Sequence, residues 1–304
     1  MSEQRAGVLM GLAAYGLWGL FPLYFPLLEP AQGVEIVAHR IVWSLVFVAV
    51  LLTVLRKWTL VRRAVVDRRT MLVLAVAAVL ITGNWLTFVI AVNSGHVVET
   101  SLGYFINPLV SVLLGVVVFR ERLRKLQWLA VGIAALAVVV LTVDHGRPPW
   151  IALLLAGTFA TYGLMKKLVR AEAAPGLLLE TLVLVVPALV VIGVLQTRGT
   201  GTVGDAGGGH VLLLLSSGVA TAIPLLLFAA STRRVPLSTV GLLQYLTPLM
   251  QLAIGVFVYG EPMPPARLVG FAVVWLALAV FTVDSLRAAR AQRRTAPEPV
   301  PAGL

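Results

Sequence analysis

The stretch Asn107-Pro108-Leu109 through Phe119-Arg120-Glu121 recurs 140 positions later as Thr247-Pro248-Leu249 through Tyr259-Gly260-Glu261. At that offset Pro108 meets Pro248, Gly115 meets Gly255, Val116 meets Val256 and Glu121 meets Glu261. The register continues without a gap to Thr142-Val143-Asp144 against Thr282-Val283-Asp284, and backwards to Phe88 against Phe228. Earlier segments align more loosely, with Gly19 opposite Gly163 and Glu35 opposite Glu180. A long repeat of this kind marks two copies of one structural unit.

The repeat is written almost wholly in apolar residues. Of the 304 residues 59% are hydrophobic and only 12% are charged, with a mean hydropathy of +0.96. A soluble domain carries roughly 25% charged residues. The shortfall leaves too little polar surface for a water-facing protein, whereas lipid requires none. A bilayer-crossing helix needs about 20 mostly apolar residues. Ten such runs are expected, near 7–28, 35–55, 71–92, 97–119 and 126–143, then 150–165, 176–196, 210–230, 236–259 and 267–286. The expected fold is an all-α integral membrane protein of ten transmembrane helices. Its halves fall at 1–145 and 146–287, and a basic, Pro-rich cytoplasmic tail at 288–304 reads as disordered.

Five spans per half is an odd number, so the second half must cross the membrane upside down relative to the first. The basic residues support that independently. Lys and Arg collect in cytoplasmic loops. With both termini inside, 20 of the 24 basic residues face the cytoplasm. Arg147, Arg198 and Arg267 face outward, and Arg40 lies within a helix. Arg122, Arg124 and Lys125 follow Glu121, but Pro262, Met263, Pro264 and Pro265 follow Glu261. Basic charge is exchanged between matching loops, as inverted insertion requires. The net charge of +11 is therefore an orientation signal spread over short loops, not a nucleic-acid surface on one face of a domain. Inverted halves can rock about a site between them, which is the geometry of alternating access.

Several runs resemble the RarD group of EamA-type permeases, within the drug/metabolite transporter superfamily. They are His39-Arg40-Ile41-Val42-Trp43-Ser44, Gly83-Asn84-Trp85, Ser101 through Pro108, Glu121-Arg122, Gln127-Trp128-Leu129-Ala130 and Ser238-Thr239. The resemblance spans about 7–286. It implies a permease of the bacterial cytoplasmic membrane. The group's label "chloramphenicol-sensitive" points to drug export. The Gly-rich stretch at 197–209 departs from the group's pattern and reads as a flexible outer loop.

Ionisable groups inside a membrane are costly, so each is a functional candidate. Arg40 lies about a turn and a half into the second span. It stays charged, so it must face a partner or water. Two roles are open to it. One is to hold a substrate carboxylate or phosphate by paired hydrogen bonds. The other is a structural pair with Glu35, Glu99 or Glu180, or reach to the outer interface. His39 is a titratable neighbour that could carry a proton, but a lone histidine is more often a hydrogen-bonded packing residue. Glu35 and Glu99 open helices and Glu180 sits about one turn into another, making them candidates for proton coupling or plain dipole compensation.

Asn84, Trp85, Tyr104 and Asn107 lie deeper and suit substrate contact or helix ties. Trp18 and Trp43 suit an aromatic cavity wall. Gln244 and Tyr245 mirror Tyr104 and Phe105, and Pro108 and Pro248 are candidate kinks for gating. Asn84 falls opposite Pro224, Trp85 opposite Leu225 and Glu99 opposite Thr239. The first half is thus expected to recognise and the second to gate. The Gly7 and Gly11 pair has the spacing of a helix-packing face.

There is no cysteine, no His-Glu-x-x-His and no phosphate loop. No metal, cofactor or enzymatic chemistry is expected, and transport would be gradient-driven or passive. The expected partners are a small-molecule substrate and the bilayer, with the chain a monomer or homodimer. A lipid-handling or accessory subunit is the alternative, followed by an intramembrane enzyme.

Overall fold

A computed structural model describes residues 3–120, 123–169, 172–204, 206–235, 239–240 and 243–295. Glu121, Arg122, Arg170, Ser238 and the tail from 296 onward lie outside the described residues. Every element among the described residues is helical: α1 (Glu3–Gly19), α2 (Phe21–Tyr24), a 3-10 turn (Phe25–Leu28), α3 (Gly33–Val54), α4 (Trp58–Val66), α5 (Arg68–Asn93), α6 (Val97–Phe119), α7 (Lys125–His145), α8 (Trp150–Leu168), α9 (Ala173–Thr197), α10 (Gly207–Thr232), α11 (Leu246–Ala253), a π turn (Ile254–Val258) and α12 (Pro265–Thr295).

Seven of the described helices are long and apolar enough to cross a membrane. An eighth is the bent pair formed by α1 and 21–28, and two shorter apolar helices run Trp150–Lys166 and Leu246–Val258. The outward faces carry side chains that water would reject: Phe257 is 85% exposed and Val117 75%. In lipid that exposure carries no penalty.

The expected single span at 7–28 is broken instead. It bends by 43° after Gly19, where Pro22 and Pro26 follow. Each proline lacks an N–H and crowds the carbonyl four residues back. The 236–259 run also differs, since Gln244 and Tyr245 form a turn before α11 begins. Pro248 then sits in the first turn of α11, where a missing N–H costs little. Pro108 lies inside α6, which runs through it from Val97 to Phe119. The chain past 287 was expected to be disordered, but α12 continues as helix to Thr295. The loop at 56–69 holds a helix, α4, that packs Val61 against Leu52, Leu74 and Leu178. Asp67 ends that loop by accepting from the Arg69 amide and the Thr70 hydroxyl. The Thr70 bond, with help from Arg69, holds the Asp67 carboxyl below the usual carboxylate range.

The helices pack across the halves. α1 lies against α10 and α11, while α8 lies against α5 and α6. α3 packs on α9 and α10, and α7 packs on α12. Close approach requires glycine at specific places. A Cβ on Gly7 would stand 2.6 Å from Arg234 Cβ, and one on Gly11 2.7 Å from Leu243 and Ser231. These two do form a packing face. One ion pair holds an end of the α7–α12 pair: Arg124 Nε donates to Asp284 at 2.7 Å and Nη2 at 2.5 Å.

Candidate functional site

Arg40 is buried in α3. Its guanidinium carbon sits 4.4 Å from the centre of the Trp85 ring, 5.2 Å from Phe25 and 5.5 Å from Phe21. Its Nε donates to Thr221 Oγ1 at 2.9 Å. No carboxylate pairs with it among the described residues. The break after Gly19 makes this cage possible, because Phe21 and Phe25 lie on the short piece that follows it. That piece is pinned to the second half. The Tyr24 hydroxyl donates to the Leu213 carbonyl at 3.1 Å and shares a hydrogen bond with Ser216 at 2.8 Å. The Tyr259 hydroxyl donates to the Pro22 carbonyl at 2.7 Å. Each desolvated cation–ring contact contributes up to about 2 kcal/mol. That offsets part of the several kcal/mol that burying an ion costs, but it does not neutralise the charge.

The acids expected to pair with Arg40 are engaged elsewhere. Glu35 accepts from the Thr202 amide at 2.8 Å and from its hydroxyl at 3.0 Å. That hydroxyl lies 2.7 Å from His210 Nε2. The part of the 197–209 stretch around Gly201 and Thr202 is therefore not free, since both are buried and Thr202 anchors it to α3. Glu180 accepts from Lys166 Nζ at 2.6 Å and from the Tyr162 hydroxyl at 3.2 Å. Glu99 accepts from the Ile151 amide at 3.1 Å and faces Arg147 at 4.0 Å. Glu99, Arg147, Glu261 and Arg267 line a partly open cavity of about 200 Å³, together with Leu102 and Phe271. Glu261 caps α6 there, accepting from the Val97 and Val98 amides.

The remaining candidates divide. Trp85 forms a wall of the cage. His39 Nδ1 accepts from Trp43 Nε1 at 3.2 Å, and its buried Nε2 has no partner among the described residues. Asn84 ties helices: its amide donates to the Leu155 carbonyl and Thr158 Oγ1, both at 3.0 Å, and accepts from the Tyr104 hydroxyl at 3.4 Å. Asn84→Ala is expected to cost about 0.6–1.7 kcal/mol, the range for hydrogen bonds between membrane helices. Thermal unfolding in detergent checks this, and an unchanged midpoint would contradict the tie. Tyr104 also stacks edge-on against Phe159 and near Phe88. Asn107 Oδ1 is buried without a partner among the described residues. Trp18 is elsewhere, against Tyr15 and Phe228. Gln244 and Tyr245 belong to the turn before α11, and Tyr245 packs against the cluster around Phe105 and Phe271.

Phe21, Phe25, Thr221, Thr202 and His210 were not singled out from sequence. The alternation Phe21-Pro22-Leu23-Tyr24-Phe25-Pro26 inside an apolar run was a usable signal for the first two. Thr221 carried none, because a lone threonine in a membrane helix commonly bonds its own backbone. Thr221, which bonds Arg40, comes from the second half.

The profile of the EamA-like transporter family matches this chain twice, over 5–143 and 148–283. Protein RarD of Streptomyces exfoliatus is 51% identical, covering 96% of this chain and 93% of its own. Protein RarD of Escherichia coli K12 is 42% identical, covering 96% and 98%. A Pseudomonas aeruginosa relative, at 32% identity over 95% and 97%, is named chloramphenicol-sensitive protein RarD. A solved protein crystal structure superimposes with a TM-score of 0.59 at 18% identity, over 93% of this chain and 99% of the other, which concerns the fold alone. The chain belongs to the EamA-like transporter family, a family of transporters and not of enzymes, and is a multi-pass integral protein of the bacterial membrane.

Proposed function

We propose that this protein is a secondary permease that exports a small metabolite or amphipathic drug across the cytoplasmic membrane by alternating access, with the Arg40 cage as its binding site. The observation that carries this reading is the position of Arg40. It is buried at the seam of the halves, walled by rings of the first and bonded to Thr221 of the second. A change in how the halves meet would remake the site.

The packing supports two inverted halves. Exchanging the halves turns the α1–α10 contact into α8–α5, α1–α11 into α8–α6, and α3–α10 into α9–α5. The α3–α9, α6–α11 and α7–α12 pairs map onto themselves. That is the pattern of a two-fold axis. With the bent pair and both shorter apolar helices counted as spans, each half has five, which makes the axis lie in the membrane plane. Both termini are then inside. The Glu35–Thr202–His210 group lies toward the outer end and the Lys166–Glu180–Tyr162 group toward the inner end. Each is suited to open while the other is closed, with Glu35, Glu180 and Glu99 as candidate coupling acids. The name of one relative, chloramphenicol-sensitive protein RarD, is the reason this drug is the first solute to try.

The test is transport. Cells expressing the protein and matched cells lacking it are loaded with labelled chloramphenicol, and intracellular and released pools are compared. A solute that leaves faster only with the protein establishes export. Equal chloramphenicol pools would rule out that drug, and unchanged pools of every detectable metabolite would overturn the permease reading.

A further inference from the structure

We propose that the solute held at Arg40 is an organic monoanion: a carboxylate on an aromatic or otherwise apolar body. This rests on the permease site described above and goes on to name its substrate class. Arg40 cannot shed its charge. The three acids that sequence reasoning offered as partners are bound to Thr202, Lys166 with Tyr162, and Ile151 with Arg147. The cage thus holds a buried cation with no counter-charge among the described residues. Thr221 takes Nε, and among the described residues the two Nη atoms keep their N–H donors for another acceptor. Those donors form a planar fork that matches the two oxygens of a carboxylate.

The walls define the rest of the solute. Phe21, Phe25 and Trp85 surround the guanidinium, with Tyr24 and Phe88 edge-on to Phe25. Rings of this kind pack against an apolar or aromatic body and offer nothing to a strongly hydrated one. The cage carries one formal charge, which matches one negative charge. A neutral drug such as chloramphenicol leaves that charge unmatched, so it would be carried poorly, if at all, beside an anion of similar size.

The protein is placed in phosphatidylcholine nanodiscs at pH 7.5 and titrated calorimetrically with phenylacetate, phenylacetamide and chloramphenicol. Phenylacetate is expected to bind about 10- to 100-fold tighter than its amide, the range of a charge-assisted hydrogen bond. Arg40→Gln is expected to bring that ratio near one, and Arg40→Lys to keep part of it. The ratio in the unaltered protein needs no variant to fold. Equal binding of acid and amide, a preference that survives Arg40→Gln, or no phenylacetate binding would each overturn the proposal. Loss of phenylacetate binding in phosphatidylglycerol nanodiscs would assign the anion to a lipid headgroup and overturn it too. Counterflow in proteoliposomes separates the two readings. Tight phenylacetate binding without counterflow sinks the permease and leaves the anion site. Counterflow of acid and amide alike keeps the permease and sinks the anion.

Discussion

Arg40→Ala is expected to lower transport of the native solute by about 100-fold or more, the equivalent of two charge-assisted hydrogen bonds at about 1.5–3 kcal/mol each. The loss has a geometric part as well as a charge part. Arg40→Lys restores a positive charge but not the fork, and its ammonium is a strongly hydrated point. It is expected to recover only part of the rate. Stability should follow a different course. Removing a buried charge that has no opposite partner among the described residues relieves a desolvation penalty, while the truncated side chain forfeits its contacts with Trp85, Phe25 and Phe21. The two effects oppose each other. Melting in detergent is therefore expected to move little while transport collapses. A large fall in both would mean that Arg40 holds the fold together and does not serve the solute.

Gly218→Val is expected to unfold the protein or prevent its accumulation. A Cβ at Gly218 would overlap the Trp43 backbone carbonyl and sit 2.7 Å from the Ser44 amide nitrogen. Backbone cannot rotate out of the way as a side chain can. α3 and α10 would have to separate, and that movement would also draw Arg40 from Thr221, now 2.9 Å away. Overpacking costs typically about 1–3 kcal/mol and occasionally more. The whole stability of a domain is only about 5–15 kcal/mol. Gly218→Ala is the milder probe and is expected to lower both the melting temperature and transport. Gly193→Ala in α9 is the opposite control, because nothing stands within 4 Å of its added Cβ. It is expected to stabilise by about 0.5–1 kcal/mol. Equal melting of the Gly218→Ala and Gly193→Ala proteins would refute the close-contact account.

Arg40 illustrates how far a single chain of letters carries. Its oddity is legible at once, as one arginine among apolar residues. Its surroundings are not. The acids nearest in the argument were Glu35, Glu99 and Glu180, yet each has found a nearer donor. A carboxylate takes whichever donors the packing brings within about 3 Å, and packing is a property of several helices together. The 197–209 stretch teaches the same lesson. Glycine spacing speaks for a loose loop, but Thr202 meets Glu35 across 167 positions, a distance that no local rule spans.

The sequence alone determined the solvent, the helical class, the duplication and the charge asymmetry. Each is set by composition or by short-range periodicity, and a bilayer permits few other solutions. It also marked Pro22 and Pro26, though not the 43° bend they accompany. Tertiary structure decided the rest: which rings surround Arg40, that Thr221 of the second half completes its cage, that Asn84 ties helices, and that Gly218 must be bare. Those outcomes depend on contacts of a few ångströms between different helices, 71 positions apart for Asn84 and Leu155 and 181 for Arg40 and Thr221. Such contacts are fixed by how all the helices fit at once, which no local stretch encodes.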